Sequence, residues 1–308
     1  MSFITIFTPT YNRGYILPQL YKSLCKQTDS DFSWLIVDDG SSDNTSTMVH
    51  EWIQEKKIDI TYVYQKNAGK HVAHNHGVEL CQTPLFICVD SDDILAADAV
   101  KTIHSYWEQD KANYNNFMGY CTKKGGGSDK TNKDSPFWPA EDSLVWAYEL
   151  GEKYHYRGET GLVWITDHLK KYHFPVIPGE RFVTEIVLYY QFSKPMKIKN
   201  DVFYFFTYQP DGYTKSGFKL QVNNPKGTAI AKKVEALFSG NFFRKLKGET
   251  KYQGWITCFN ITDGFIDGIL SNYNFSTRRI PKIISLTAWI LRYPCAILYK
   301  RKIYQNDR

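Results

Sequence analysis

Two clusters of aspartates, each directly after a run of aliphatic residues, stand out in this 308-residue chain for the chemistry they can support. Asp38 and Asp39 follow the run 35–37, and Asp90-Ser91-Asp92-Asp93 follows the run 85–89. Hard divalent cations prefer such oxygen ligands. On a turn that leaves a rigid strand, the Asp-x-Asp spacing can place one carboxylate on a cation and the other on a neighbouring polar group. The sequence therefore predicts ligand binding at these positions.

The segments around the aspartates alternate between strand and helix patterns over residues 1–112. Apolar runs predict strands over 3–7, 34–37, 60–64 and 85–89, and helical periodicity predicts helices over 16–25, 45–56, 72–80 and 99–107. Strands that alternate with helices at short spacing form a mostly parallel sheet with right-handed crossovers. Both clusters would then lie at the carboxyl ends of strands, where open α/β sheets bind ligands.

The pattern changes after residue 112. A glycine-rich stretch over 123–136 predicts a surface loop, further strands are expected over 162–165, at 198 and over 202–208, and a helix over 184–192. We expect one domain over 1–215, in which 1–112 is the nucleotide-binding half and 113–215 completes the sheet. Residues 216–308 are rich in Lys and aromatics and predict a helical C-terminal extension.

The composition excludes several classes of protein. A mean hydropathy of −0.43 with 23% charged residues excludes a multi-span membrane protein, and a net charge of +6 favours anionic partners. The basic residues do not form a stripe interleaved with exposed aromatics, which argues against nucleic acid as a partner. The six cysteines have neither metal-ligand nor redox spacing, which favours reduced thiols and a cytoplasmic location.

The segment 278–302 has basic residues on both sides of an apolar run that contains Trp289. The run is too short to cross a bilayer, which needs about 20 apolar residues, and Arg292 and Pro294 interrupt it. This composition is typical of a helix that lies on an anionic membrane surface. We therefore expect a peripheral position on the inner face of the cell membrane. A final helix packed on the core is the alternative.

Four motifs, in this order and at this spacing, resemble those of family 2 glycosyltransferases of the GT-A fold. They are Thr8-Pro9-Thr10-Tyr11-Asn12-Arg13, Val37-Asp38-Asp39-Gly40-Ser41-Ser42-Asp43, Gln65-Lys66-Asn67-Ala68-Gly69-Lys70 with Ala73-His74-Asn75-His76-Gly77, and Asp90-Ser91-Asp92-Asp93. The resemblance continues more weakly to about Gly212. It implies an α/β fold of the GT-A nucleotide-diphospho-sugar transferase type, with a mostly parallel central sheet flanked by helices and an acceptor half over 113–215.

The resemblance also implies roles for residues that bind a nucleotide-sugar donor. Asp92 would ligate Mg²⁺ or Mn²⁺, and Asp90 would share that metal or hold the ribose. Asp39 would accept a hydrogen bond from the base, which favours a uracil-like base and a UDP-sugar. Lys70, at the start of a helix, would face the diphosphate. The remaining nucleotide-binding candidates are Thr8 and Pro9, which would shape the pocket, Tyr11, which would stack on the base, and Asp38, which would support the loop. Arg13 would assist Lys70 at the diphosphate or, alternatively, is a solvated surface residue.

Inverting transfer needs a base that takes the proton of the acceptor hydroxyl. The family places this carboxylate at the start of a helix after a variable stretch, and the segment 174–188 resembles that region. Glu185 is the predicted catalytic base, with Thr184 as the N-cap, and Glu180 and Glu159 are the reserves. Alternatively, Glu185 only complements the dipole of its helix. The segment 208–214 is expected to be either a loop over the donor or a plain turn.

The resemblance implies an inverting, metal-dependent glycosyltransferase that acts on a hydroxyl of a glycan or lipid-linked glycan. The Gln-x-x-Arg-Trp segment of processive members does not occur, which favours addition of single sugars. A nucleotidyltransferase acting on a sugar phosphate is an alternative, although it normally has a glycine-rich loop after the first strand. A non-catalytic binding or scaffold protein with the same fold is the other alternative.

Overall fold

A computed structural model of the chain describes residues 2–126, 137–209, 212–273, 275 and 279–306. The chain forms two compact units, Met1–Lys171 with Lys194–Pro210, and Tyr172–Ser193 with Asp211–Arg308. Most of the predicted loop over 123–136, residues 210 and 211 of the segment 208–214, and residue 278 of the basic tail lie outside the described residues.

The first unit is built on an eight-stranded sheet with the order β3-β2-β1-β4-β9-β6-β10-β8. Strands β3, β2, β1 and β4 are parallel, and β9 runs antiparallel to β4 and β6. A second sheet has the order β5-β11-β7. The strands are β1 Ile4–Thr10, β2 Phe32–Asp38, β3 Ile60–Tyr64, β4 Leu85–Cys88, β5 Ile94–Leu95, β6 Gly119–Lys123, β7 Gly125–Gly126, β8 Leu144–Val145, β9 Thr160–Ile165, β10 Met196–Ile198 and β11 Tyr204–Phe206.

The helices of the first unit follow the predicted alternation with strands. They are α1 Leu17–Leu24, α2 Thr45–Glu55, α3 Lys70–Leu80, α4 Ala99–Asp110, a 3-10 helix Lys111–Asn116, α5 Ala147–Glu152 and α6 Thr166–Leu169. The predicted α/β class with a mostly parallel sheet is confirmed. Helix α3 begins two residues earlier than predicted, so that Lys70 is its first residue.

Strand β1 is longer than predicted, because it continues from Phe7 through Thr10 instead of ending at Phe7. Pairing of β1 with β4 stops at Phe7, and only β2 continues alongside, with Pro9 opposite Val37. Proline has no N–H to donate, so it is tolerated where a strand has lost one neighbour. The extension carries the β1 backbone out to the carboxyl edge of the sheet.

An aromatic core lies under this edge. The rings of Tyr21 and Trp52 stack with centroids 4.2 Å apart, and Trp34 lies 5.9 Å from Trp52. Trp34 is completely buried in β2, and all seven residues of β1 are buried. Burial of a large apolar side chain contributes roughly 1.5–3 kcal/mol, so the strands that reach the edge are rigidly held.

The second unit is helical in its described residues, which confirms the predicted helical C-terminal region. Its helices are α7 Ile186–Tyr189, α8 Tyr213–Asn223, α9 Pro225–Phe238, α10 Phe242–Phe259, α11 Asp263–Leu270 and α12 Lys282–Asn306. No helix in the described ranges is long and apolar enough to cross a bilayer.

The helix predicted over 184–192 is shorter, and the prediction that Thr184 is its N-cap is wrong. The N-cap residue of α7 is Glu185. The N–H of Val187 donates to the Thr184 carbonyl, and the N–H of Gln191 donates to the Leu188 carbonyl. Both bonds span three residues, so tight turns at each end reduce the α-helix to four residues.

Candidate active site

The carboxyl ends of β1, β2 and β4 lie side by side because β1 pairs in parallel with both neighbours. The loops that leave these strands carry Tyr11, Asp39 and Asp90, and the first residue of α3, Lys70, belongs to the same edge through its contact with Asp90. All four sequence motifs therefore converge within the first unit, at the position where open α/β sheets bind ligands.

The β1 and β2 loops are held together by hydrogen bonds around Asn12. Its N–H donates to the Ser41 hydroxyl at 2.8 Å, and its side-chain oxygen accepts from the Ser42 N–H at 2.8 Å. Asn12 has a φ of 52°, a left-handed conformation that asparagine tolerates better than most residues. A further bond joins the Gly14 N–H to Asp43 at 2.9 Å. Beside this clamp, the Tyr11 ring is 47% exposed and open to a stacking partner.

Three of the predicted nucleotide-binding residues differ in exposure. Thr8 and Pro9 are buried, and the Thr8 hydroxyl accepts a hydrogen bond from the Trp34 indole at 2.9 Å. Both residues therefore pack inside the fold and do not present a side chain at the surface. Arg13 lies at the surface side of the loop, where its guanidinium donates to the Tyr15 hydroxyl at 2.5 Å.

Asp38 is completely buried, and both of its carboxylate oxygens have donors. One oxygen accepts from the Ser41 N–H at 2.7 Å, and the other accepts from the Tyr62 hydroxyl at 2.7 Å. These contacts fix the turn that leaves β2 and link it to β3. They are the contacts of a residue that supports the loop.

Asp39 anchors the segment that leads into α3. One carboxylate oxygen accepts from the Gln65 amide at 2.8 Å and from the Ala68 N–H at 2.9 Å, and the other accepts from the Gly69 N–H at 2.8 Å. Its side chain is almost fully buried. Hydrogen bonds to a charged acceptor are stronger than neutral ones, so Asp39 ties the start of α3 to the end of β2.

Lys70 joins α3 to the aspartates after β4. Its ammonium lies 2.8 Å and 3.0 Å from the two carboxylate oxygens of Asp90. The N-cap, Gly69, has a φ of 98°, which favours glycine. Farther along α3, an added Cβ at Gly77 would lie 2.3 Å from the Phe7 ring, so α3 lies directly on β1. The ammonium and the positive end of a helix meet here, a combination that favours anions.

The three aspartates after β4 differ in pKa. Burial would raise the pKa of Asp90, but the charges of Lys70 and Lys124 hold it below its ordinary value. Burial and then the negative charge of Asp90 raise the pKa of Asp92. Burial raises the pKa of Asp93 to about 6 against the opposing charge of Lys124. Asp92 and Asp93 are therefore both harder to ionise than a carboxylate in water, whereas Asp90 is easier to ionise.

Tyr204 and Lys124 hold this turn, although no motif predicted them. The Asp90 N–H donates to the Tyr204 hydroxyl at 3.0 Å. The Lys124 ammonium lies 3.2 Å from an Asp93 oxygen and 3.8 Å from the centroid of the Tyr204 ring. Tyr204 is 114 positions from Asp90 and Lys124 is 31 positions from Asp93. Only the pairing of β11 with β5 and β7 brings them together, so local sequence patterns carry no signal for them.

The donor set at this turn fits a hard divalent cation. Burial and the charge of Asp90 disfavour the charged form of Asp92, which a bound cation would relieve, and Asp90 lies two residues away in an ion pair with Lys70. Among the described residues, no three His, Cys, Asp or Glu side chains are already grouped as a complete metal site. Further oxygen ligands would have to come from water or from a bound phosphate, as is usual for Mg²⁺.

The candidate bases are placed differently. Glu185 is the N-cap residue of α7 in the second unit. The carboxylate of Glu180 accepts from the Lys226 N–H at 2.8 Å and from the Gly227 N–H at 2.7 Å, so it is occupied as a cap of α9. Glu159 belongs to the first unit and accepts weakly from the Tyr208 hydroxyl at 3.5 Å. These contacts leave Glu185 as the better candidate than Glu180.

The fold is that of the nucleotide-diphospho-sugar transferases. The sequence model described as "Glycosyl transferase family 2" matches residues 5–166, which is just over half of the chain. The chain therefore belongs to glycosyl transferase family 2.

Similar proteins agree with this assignment. The chain is 32% identical over 104 residues to validoxylamine A glucosyltransferase of Streptomyces hygroscopicus subsp. jinggangensis, a match that covers 32% of the chain and 24% of that relative. The chain thus spans well under half the length of this curated relative.

Two solved structures share the fold. S. aureus TarS 1-349 in complex with UDP-GlcNAc has a TM-score of 0.58 at 18% identity, over 86% of this chain and 75% of that one. The mannosyltransferase PcManGT from Pyrobaculum calidifontis, in complex with GDP-Man and Mn²⁺, has a TM-score of 0.54 at 14% identity, over 99% and 88%. At these identities the likeness concerns the fold.

Proposed function

We propose that this chain is an inverting, metal-dependent glycosyltransferase that moves one sugar at a time from a UDP-sugar to a hydroxyl of a glycan or lipid-linked glycan. The observation that carries the proposal is the contact of Lys70, at the start of α3, with Asp90, which follows β4 and lies two residues before Asp92. Anion-binding and cation-binding groups stand together there, which is what a metal-bound diphosphate requires.

The donor would be held along the carboxyl edge of the sheet. The exposed ring of Tyr11 offers a stacking surface for the base, and Asp39 lies on the adjoining loop. Lys70 and the N-terminus of α3 would face the diphosphate. Asp92, with Asp90, would hold Mg²⁺ or Mn²⁺, and the bound cation would neutralise charge on the departing UDP. The binding of UDP-GlcNAc by the TarS structure supports a uracil base.

Transfer needs one further group on the acceptor side. Glu185 would take the proton of the acceptor hydroxyl. The oxygen of that hydroxyl bonds to the anomeric carbon while the bond from the anomeric carbon to the diphosphate oxygen breaks. A single displacement of this kind inverts the configuration at the anomeric carbon. Residues 1–215 would form the catalytic domain, and residues 216–308 would form an extension. The protein would act at the cytoplasmic face of the cell membrane. The lack of a Gln-x-x-Arg-Trp segment supports addition of single sugars.

Calorimetry with UDP, GDP and ADP, each with and without Mn²⁺, tests the donor site. We expect Mn²⁺-dependent binding of UDP in preference to the others, and loss of the Mn²⁺ dependence in Asp92→Asn. Asp59→Asn is the matched control, because it removes the same charge from an exposed side chain. Absence of Mn²⁺-dependent binding of any nucleotide would contradict the proposal, and preference for GDP would overturn the choice of base.

Turnover tests the catalytic assignment. A panel of nucleotide sugars is incubated with Mn²⁺, and release of UDP is measured with and without glycan acceptors. Glu185→Gln should reduce transfer by about 100-fold or more while UDP affinity stays unchanged. Release of pyrophosphate from a nucleoside triphosphate and a sugar phosphate would instead favour a nucleotidyltransferase. Wild-type transfer by both Asp92→Asn and Glu185→Gln would refute the assigned roles.

A further inference from the structure

One face of α12 is used by packing within the second unit. Ile284, Ala288 and Ala296 are buried, and α12 lies along α10. At Gly254 of α10, an added Cβ would lie 2.6 Å from the Cβ of Cys295. Pro294 lies inside the helix, which continues to Asn306. The packing on α10 therefore holds α12 in place without help from its other face.

The opposite face of α12 carries an exposed apolar stripe. Ile283, Leu286, Ile290, Tyr293 and Ile297 are each 52–65% exposed. They follow one another at spacings of three and four residues, which places them on one side of a helix. Single exposed apolar residues are ordinary, but a contiguous stripe indicates a surface that a partner covers.

The charge of α12 restricts the chemistry of that partner. Residues 282–306 contain no Asp or Glu, and they contain five basic residues. Lys282 stands at one end and Lys300-Arg301-Lys302 near the other. In the middle, the Arg292 guanidinium lies 3.6 Å from the centroid of the Trp289 ring, which is half exposed. The partner must offer negative charge around an apolar layer.

A second copy of the chain fits this requirement poorly. Two α12 helices paired through the stripe would bring positive charges close to positive charges, and the helix has no carboxylate to compensate them. An anionic bilayer supplies both missing parts, because its headgroups attract Lys and Arg and its acyl chains accept apolar side chains. Trp, Tyr and Arg are also suited to the boundary between these layers.

We infer that the α12 stripe docks on an anionic lipid bilayer, with the helix axis in the plane of the membrane. The 25 residues of α12 extend along the surface for roughly 37 Å. The stripe would lie at the level of the acyl chains, and Lys282, Lys300 and Arg301 would reach the headgroups. The Lys302 ammonium lies 4.4 Å from the centroid of the Phe218 ring and belongs to the packed side of α12. This inference does not depend on the proposed transfer reaction.

Co-sedimentation of the full chain with lipid vesicles tests the inference. We expect binding to vesicles that contain phosphatidylglycerol, weak binding to pure phosphatidylcholine, and release at high salt. The double variant Ile290→Glu/Ile297→Glu should bind at least about tenfold more weakly. The triple variant Lys282→Ala/Lys300→Ala/Arg301→Ala should bind on the order of 100-fold more weakly, from about 1 kcal/mol per basic residue.

Val176→Glu is the matched control, since Val176 is 60% exposed in the same unit and lies outside α12. It should bind vesicles as the wild type does, and circular dichroism with thermal melting shows that each variant is folded. Asp92→Asn should also bind normally, so this inference and the proposed reaction can fail separately.

Three results would overturn the inference. The first is a folded wild-type chain that stays unbound to phosphatidylglycerol vesicles at low salt. The second is a loss of binding in Val176→Glu as large as in the stripe variant. The third is a dimer in solution that Ile290→Glu/Ile297→Glu converts to a monomer while vesicles bind neither protein, because the stripe would then be covered by a second copy.

Discussion

Replacement of Asp39 by Asn tests how the start of α3 is positioned. The carboxylate accepts three hydrogen bonds, two at one oxygen and one at the other. An amide retains one oxygen and turns an NH₂ donor toward a backbone N–H, either that of Gly69 or that of Ala68. At least one buried donor then loses its partner. A lost hydrogen bond to a charged group, with a buried donor left unpaired, destabilises by about 3 kcal/mol.

Thermal unfolding measures the expected loss of stability in Asp39→Asn. For a chain of this size it corresponds to a melting temperature lower by roughly 6–12 °C. Asp59→Asn removes the same charge at an exposed position and should melt within about 1 °C of the wild type, because surface substitutions change stability little.

Ligand binding separates the anchoring role of Asp39 from recognition of the base. If Asp39 only anchors α3, Asp39→Asn weakens the binding of UDP and of inorganic pyrophosphate by the same factor, since both depend on Lys70. If Asp39 also pairs with the base, Asp39→Asn weakens the binding of UDP by a larger factor than the binding of pyrophosphate. Wild-type melting together with unchanged pyrophosphate affinity would refute the argument that this carboxylate holds the helix start.

Three further predictions concern single side chains. Tyr204→Phe removes the acceptor of the Asp90 N–H but keeps the ring beside Lys124. It should lower the free energy of unfolding by about 1–3 kcal/mol and lower UDP affinity in calorimetry, and an unchanged affinity would contradict a positioning role. Burial lowers the pKa of His71 to about 4. Unfolding therefore takes up a proton between about pH 6.5 and 4, and the free energy of unfolding falls as the pH falls, by about 3 kcal/mol at the low end. His71→Phe should flatten the pH dependence of the melting temperature over this range, and an unchanged slope would refute this prediction. Glu180→Gln weakens the cap on the first N–H groups of α9 and should destabilise by about 1 kcal/mol in urea unfolding, whereas an unchanged midpoint would show that the cap contributes nothing.

The first hundred residues were predictable because their signals are local. Buried parallel strands give continuous apolar runs, and the predicted strand over 34–37 lies within β2, where all four residues are buried. The motifs are also local, so their meeting at one edge follows from parallel pairing alone. The strand extension through Thr10 was missed because Pro9 is normally a breaker, and its tolerance depends on where the neighbouring β4 ends.

The parts that were missed depend on contacts between distant segments. Tyr204 and Lys124 reach the aspartate turn through the small second sheet, whose strands pair over long sequence separations. The engagement of Asp39 with Ala68 and Gly69 requires the β2 loop to lie against residues 67–69, where an added Cβ at Gly40 would be 2.8 Å from the Asn67 nitrogen. Sequence spacing alone does not show such approaches.

The contact of Gly77 with the Phe7 ring has a consequence for attempts to redesign donor choice. Because α3 rests on β1 without room for a methyl group at position 77, any larger residue there would push the helix away from the strand. A library that randomises position 77 would therefore lose this packing in most clones. Diversity is better introduced at exposed positions such as Tyr11 and Tyr15, where new shapes can be sampled while the scaffold stays intact.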